Sequence, residues 1–161
     1  MVGNDNRPLR GYKAGVYEGG IRTPGVVHWP GQVKAGESTA VMHAVDWLPT
    51  LWGLAGVKAA PDRPDGVDLW PVLSGRSAGD TPRTVYTAGV GFRTAAIRHG
   101  NWKLIVTRKA GGATTKRELY DLEADLAEAH NLAEDNPAVV ADLMRRLEEV
   151  SARDNDAVVR K

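Results

Sequence analysis

The chain has 161 residues, enough for one compact domain or one piece of a larger one. Apolar residues make up 42% and charged residues 25%, which rules against disorder over the whole length. The formal net charge of +1 gives no general drive toward nucleic acid or an anionic membrane, and with no cysteine the chain has no disulfide, thiolate metal site or thiol nucleophile.

Residues 1–20 are rich in Gly, Asn and Arg and have no clear period, so they read as a loop crossing a surface or a cleft. The polar, turn-forming start has no apolar core of the kind a secretory signal needs. Val26, Val27 and Trp29 predict a strand, opened after Pro24 and closed by Pro30-Gly31. Residues 46–56 predict a helix with Asp46 as N-cap, Pro49 in the first turn and Gly56 at the C-terminal stop. Leu48, Leu51, Trp52 and Ala55 form its apolar stripe. Residues 57–83 are loop-like, with Val67-Asp68-Leu69-Trp70 as the part that pins the loop to a core.

From residue 84 the pattern turns to strands. Residues 84–87 are strand-like, and 93–98 with 102–107 predict a β-hairpin turning at His99-Gly100-Asn101. Residues 109–116 read as a Gly/Thr-rich loop and 117–122 as another strand. The final helix begins at Pro137, capped by Asp135 or Asn136. Val140, Leu143, Met144, Leu147 and Val150 line one face, and the tail after Ser151 is expected to fray. This predicts an antiparallel sheet with a helix on one face. The single strand and helix of the first half do not complete an α/β layer, which suggests a chain that begins within a domain.

No residue pattern carries chemistry by itself. The serines Ser38, Ser74, Ser77 and Ser151 lie in no G-x-S-x-G elbow, and His28, His43, His99 and His130 are too dispersed for a zinc site. No phosphate-binding G-x-x-x-x-G-K-[ST] loop exists, and no apolar run approaches the roughly 18 residues of a membrane span. Asn4-Asp5-Asn6 has oxygen donors but not the spacing of a calcium loop. Lys13 stands out, as a cation set among glycines where backbone and ammonium can both approach an anion.

Pro8-Leu9-Arg10-Gly11-Tyr12-Lys13, followed by Tyr17-Glu18-Gly19-Gly20-Ile21-Arg22-Thr23-Pro24, resembles the second signature of the sulfatase family. The resemblance continues in order through His28-Trp29-Pro30-Gly31, Asp46-Trp47-Leu48-Pro49-Thr50-Leu51, Asp65-Gly66-Val67-Asp68-Leu69 and Leu73-Ser74-Gly75. It extends through Ile97-Arg98-His99-Gly100-Asn101-Trp102-Lys103-Leu104, Leu119-Tyr120-Asp121-Leu122-Glu123-Ala124-Asp125 and Asn131-Leu132-Ala133.

The resemblance implies the C-terminal part of a type I arylsulfatase of the alkaline-phosphatase-like superfamily. The fold class it implies is α/β, locally α+β: residues 1–78 as the end of the large α/β domain, and 79–161 as a small antiparallel sheet with a packed C-terminal helix. Sulfatases hydrolyse sulfate esters, with a formylglycine nucleophile and a calcium ion expected in the full-length member. Lys13 matches the lysine of the family's G-x-K-x-x-x-x-E-G-G segment and is the expected catalytic and substrate-binding residue, contacting the sulfate group. Tyr17, Glu18, Gly19, Gly20 and Arg22 look like its scaffold. Asp5-Asn6 is rejected as the family's calcium pair because Arg7, not Gly, follows it.

No C/S-x-P-x-R formylglycine motif occurs in the chain. The isolated chain is therefore expected to be inactive and to bind no cofactor alone. The expected substrate of the full-length protein is a sulfate-ester small molecule or glycan. The expected cover for residues 1–56 is a missing N-terminal part or self-association. Two alternatives remain open: a phosphonate monoester or phosphodiester hydrolase segment, and a non-catalytic interaction module. The sequence assigns no localisation.

Overall fold

The computed structural model describes residues 5–57, 65–79, 82–109 and 113–154. By contacts the chain divides into two compact units, Met1–Thr23 with Pro82–Lys161, and Pro24–Thr81.

The first unit is built on a four-stranded antiparallel meander in the order β1-β2-β3-β4, with strands Thr84–Ala88, Thr94–His99, Trp102–Arg108 and Thr114–Asp121. The predicted β2–β3 hairpin forms, but its turn is Gly100-Asn101 alone: His99, read as part of the turn, is the last residue of β2 and pairs with Trp102. Gly100 takes φ +59, the left-handed region that glycine enters without strain. β4 starts at Thr114, inside the stretch read as a loop; residues 110–112 of that stretch lie outside the described residues. Pairing with β3 explains the difference, since Arg108 and Thr107 offer partners to Thr114 and Lys116.

Alternation along the strands gives the sheet two unlike faces. One face presents Ala95, Ile97, Leu104, Val106 and Leu119 to Val140, Leu143 and Leu147 of the C-terminal helix Pro137–Asp154. Ile97, Leu104, Leu119 and Leu147 are completely buried. Each such aliphatic side chain contributes about 1.5–3 kcal/mol by leaving water. The helix runs three residues past Ser151, so the expected fraying does not begin there; residues 155–161 lie outside the described residues.

The opposite face is covered by residues 5–23. Val16 packs there with Ala96, Ile105, Tyr120 and Leu122. The rest of this face is polar: Lys103 and Glu118 alternate with the apolar residues and are buried as well. Within residues 5–23 the only helix is the single turn Glu18–Ile21, named α1.

The second unit holds α2, Trp47–Leu54, and the short α3, Trp70–Leu73. α2 ends as predicted at Gly56, φ +68: the amides of Gly56 and Val57 donate to the carbonyls of Gly53 and Trp52, a Schellman stop. Asp46 does not cap α2. It closes a preceding 3-10 turn, Ala44–Asp46, accepting from the amides of His43 and Val67. Thr50 Oγ1 donates to Asp46 O and accepts from Leu69 N, so the buried Leu69 pins the following loop to α2.

The strand predicted at Val26–Trp29 does not form. A strand needs a neighbouring ladder for its amides and carbonyls. No described strand lies beside this segment, and Val26 is 91% exposed. Trp29 packs on Trp70 instead, with ring centroids 5.2 Å apart. The α2 stripe meets no core either: Leu48 and Leu51 are half exposed.

Candidate functional site

The glycine-rich segment folds as a tight loop whose tip is Tyr12-Lys13-Ala14. Gly15 N bonds Tyr12 O, and Gly19 N reaches back to Arg10 O at 2.7 Å. Asn6 Nδ2 donates to the carbonyls of Gly11 and Gly19, 3.2 and 2.8 Å away. Gly19 and Gly20 are required by space: a Cβ on either would lie 2.6 Å from a backbone oxygen of the facing strand of loop, Arg10 or Gly11 in one case and Tyr12 in the other. At the tip, Ala14 sits at φ 76 and Lys13 is exposed. No hydrogen bond or ion pair holds the Lys13 ammonium among the described residues, whereas Arg10, Arg22 and Lys103 are all engaged.

The loop is held down mainly by charge. Two polar clusters lie beneath it, both on the sheet face away from the C-terminal helix. In the first, Lys103 Nζ from the middle of β3 lies 2.8 Å from Glu18 Oε1 and 2.8 Å from Glu128 Oε1. Its hydrogen bond goes to Glu18, and Glu128 Oε1 takes the ammonium's charge without a linear hydrogen bond. Glu128 Oε2 accepts the Glu18 amide at 2.7 Å. Arg22 approaches Glu18 Oε2 at 3.7 Å from the solvent side. Burial pushes the Glu128 carboxyl up, and the Lys103 ammonium only partly opposes that push.

In the second cluster, Glu118 of β4 accepts from the hydroxyls of Tyr17 and Tyr120 and pairs with Lys116 at 3.0 Å. Burial alone would raise Glu118, but the hydrogen bonds from Lys116, Tyr120 and Tyr17 outweigh it and hold the carboxyl below its ordinary value. Burial, with the adjacent carboxylate, pushes the Tyr17 hydroxyl up to about 12 and raises Tyr120 as well. Arg10 joins the clusters. Its guanidinium lies 4.1 Å from the Tyr17 ring centroid, donates to Tyr120 OH and donates to Glu128 O.

The sequence-predicted residues thus occupy distinct places. Lys13 is exposed at the tip. Tyr17 and Glu18 are anchors, Gly19 and Gly20 permit the close return of the chain, and Arg22 flanks Glu18. Sequence reasoning missed Arg10, Lys103, Glu118, Tyr120 and Glu128 as partners of the loop. Only Lys103 left a signal: a lysine at an inward position between Trp102 and Leu104.

Asp5 is bound by Arg7 through both carboxylate oxygens, and the Asn6 amide group serves backbone carbonyls. Among the described residues no group of three or more His, Cys, Asp or Glu side chains is placed to hold a metal ion. With their donors engaged in this way, Asp5 and Asn6 do not fit a calcium ion. No described helix is long and apolar enough to cross a membrane.

A family model for N-sulphoglucosamine sulphohydrolase, C-terminal, matches residues 12–153. The chain is 32% identical to N-acetylgalactosamine-6-O-sulfatase of Bacteroides thetaiotaomicron, over 93% of this chain and 32% of that protein. It is 33% identical to human arylsulfatase A, over 77% of this chain and 28% of that protein. The crystal structure of Ps i-CgsB in complex with k-i-k-neocarrahexaose superposes with a TM-score of 0.79 at 30% identity, covering 91% of this chain and 32% of that one. The structure of BT4656 in complex with its substrate D-glucosamine-2-N,6-O-disulfate gives 0.64 at 28%, covering 81% and 28%. The chain therefore spans about a third of the length of these relatives. The ordered motifs around Lys13, the meander with its packed helix and these matches agree, and the chain belongs to the sulfatase family, corresponding to its C-terminal segment.

Proposed function

We propose that this chain is the C-terminal part of a hydrolase of sulfate esters and that Lys13 is its contribution to the reacting centre. The observation that carries this reading is the contrast at the loop: Arg10 and Arg22 are engaged and the backbone is pinned, while among the described residues nothing holds the exposed Lys13 ammonium at the tip. An ammonium on a rigid loop binds a sulfate oxygen and stabilises charge as the ester bond to sulfur breaks, with little reorganisation during reaction. Formylglycine supplies the nucleophile in this family, and neither it nor a calcium site is assigned to these residues. The chain's own residues bind and orient the sulfate group; alone they do not turn it over. Two of the matches spanning more than nine-tenths of the chain carry sugar chemistry in their names, which favours a sulfated carbohydrate as the ester.

The test uses two proteins. One is the 161-residue chain alone. The other is the Bacteroides thetaiotaomicron N-acetylgalactosamine-6-O-sulfatase with its matching C-terminal third replaced by this chain. Sulfate release from N-acetylgalactosamine 6-sulfate is expected from the second and not from the first. Metal-dependent turnover by the chain alone would overturn the assignment of its role.

A further inference from the structure

Residues 5–23 have little apolar anchorage. Among them only Val16 and Glu18 are buried, so the place of the Lys13 tip depends on polar contacts. Three of the contacts around it meet at Glu128, which belongs to none of the sequence motifs. Glu128 is completely buried and offers three groups. Its carbonyl accepts Arg10 Nη1 at 2.8 Å, at the start of the loop. Its Oε2 accepts the Glu18 amide at 2.7 Å, at the end of the loop. Its Oε1 lies 2.8 Å from Lys103 Nζ, which ties the assembly to β3.

The backbone adds an independent indication. Glu128 takes φ +55, the left-handed region that a β-carbon disfavours and glycine fills freely. Glutamate here forgoes the residue its backbone prefers and brings a carboxylate into the core, where charge is costly unless paired. Both costs are explained if the side chain is needed where it is.

We propose that Glu128 is a positioning residue for Lys13, clamping both ends of loop 10–18 through Arg10 and Glu18. The consequence for catalysis rests on the reading of Lys13 above; the clamp is tested apart from it.

The test is amide hydrogen exchange on the full 161-residue chain. Glu128→Gly suits the backbone and deletes the carboxylate. Glu128→Gln keeps an oxygen acceptor for the Glu18 amide. In the glycine variant the Glu18 and Gly19 amides are expected to exchange about 10- to 100-fold faster than any common change at Leu104, Val106 and Leu119. The glutamine variant should recover most of that protection. Arg10→Met, at a partly exposed site, releases the other end and should give the same selective pattern even where the glycine variant does not fold. Lys13→Ala should leave loop protection intact, so failure of the Lys13 reading and failure of the clamp are separate results. Equal acceleration of loop and sheet amides would reduce Glu128 to a buried ion supporting the whole fold. Unchanged exchange at Glu18 would remove the clamp outright. Either result overturns the proposal.

Discussion

Lys103→Met is the most informative perturbation of the buried ion cluster. Lys103 is 1% exposed and its two partners, Glu18 and Glu128, are 4% and 0% exposed. Methionine replaces the lysine stem and removes the ammonium, leaving two buried carboxylates without the cation they share. Breaking a buried pair by deleting one partner costs about 3–5 kcal/mol. Two responses reduce the loss. Glu128, already pushed up by burial, takes up a proton, and Arg22 remains 3.7 Å from Glu18. The expected loss is therefore at the lower end, about 3 kcal/mol. For a unit of this size that lowers the midpoint of thermal unfolding by roughly 10–20 °C. Urea and thermal unfolding followed by circular dichroism measure it. Adding Glu18→Gln and Glu128→Gln should restore most of the stability, because a neutral cluster needs no counter-charge. A loss below about 1 kcal/mol for Lys103→Met, the range of a solvated surface pair, would refute the argument.

Three further outcomes are expected. Gly19→Ala places a Cβ 2.6 Å from the carbonyl oxygens of Arg10 and Gly11, and should cost about 1–3 kcal/mol in urea unfolding. Glu118 is held below its ordinary value of 4.5, so its stabilisation is present above that pH and is lost as pH falls through the lower folded value. Glu118→Gln should accordingly be less stable than the native chain at pH 7, with the difference shrinking as pH falls below 4.5; a difference that stays constant there would contradict the linkage. Leu51→Lys alters an exposed position of α2 and should leave stability in urea unfolding within about 0.5 kcal/mol.

What could be read from the sequence was what local periodicity encodes. The β2–β3 hairpin announced itself through alternation and Gly100, and the final helix through Pro137 and the Val140–Leu143–Leu147 stripe. The Val26–Trp29 strand failed because propensity describes a residue's preference and not the presence of a pairing partner. Lys13 stood out as a cation among glycines, its role was legible only through family resemblance, and of its support only Lys103 left a trace, as a lysine in the middle of a strand. Lys103 meets Glu18 across 85 positions, and the Glu18 amide meets Glu128 across 110. No spacing rule joins such residues, and Glu128 lies in an irregular turn with no period to mark its side chain as buried.

The central claim is that this segment presents Lys13 to the sulfate group. The most direct measurement is kcat/KM for sulfate-ester hydrolysis by the chimeric sulfatase carrying this chain, with Lys13 intact, with Lys13→Arg and with Lys13→Ala. Loss of one charge-stabilising contact at a reacting centre lowers turnover by about 10²- to 10³-fold. The account predicts a fall of that size for Lys13→Ala, with partial activity retained by Lys13→Arg. An alanine variant as active as the parent chimera would contradict it.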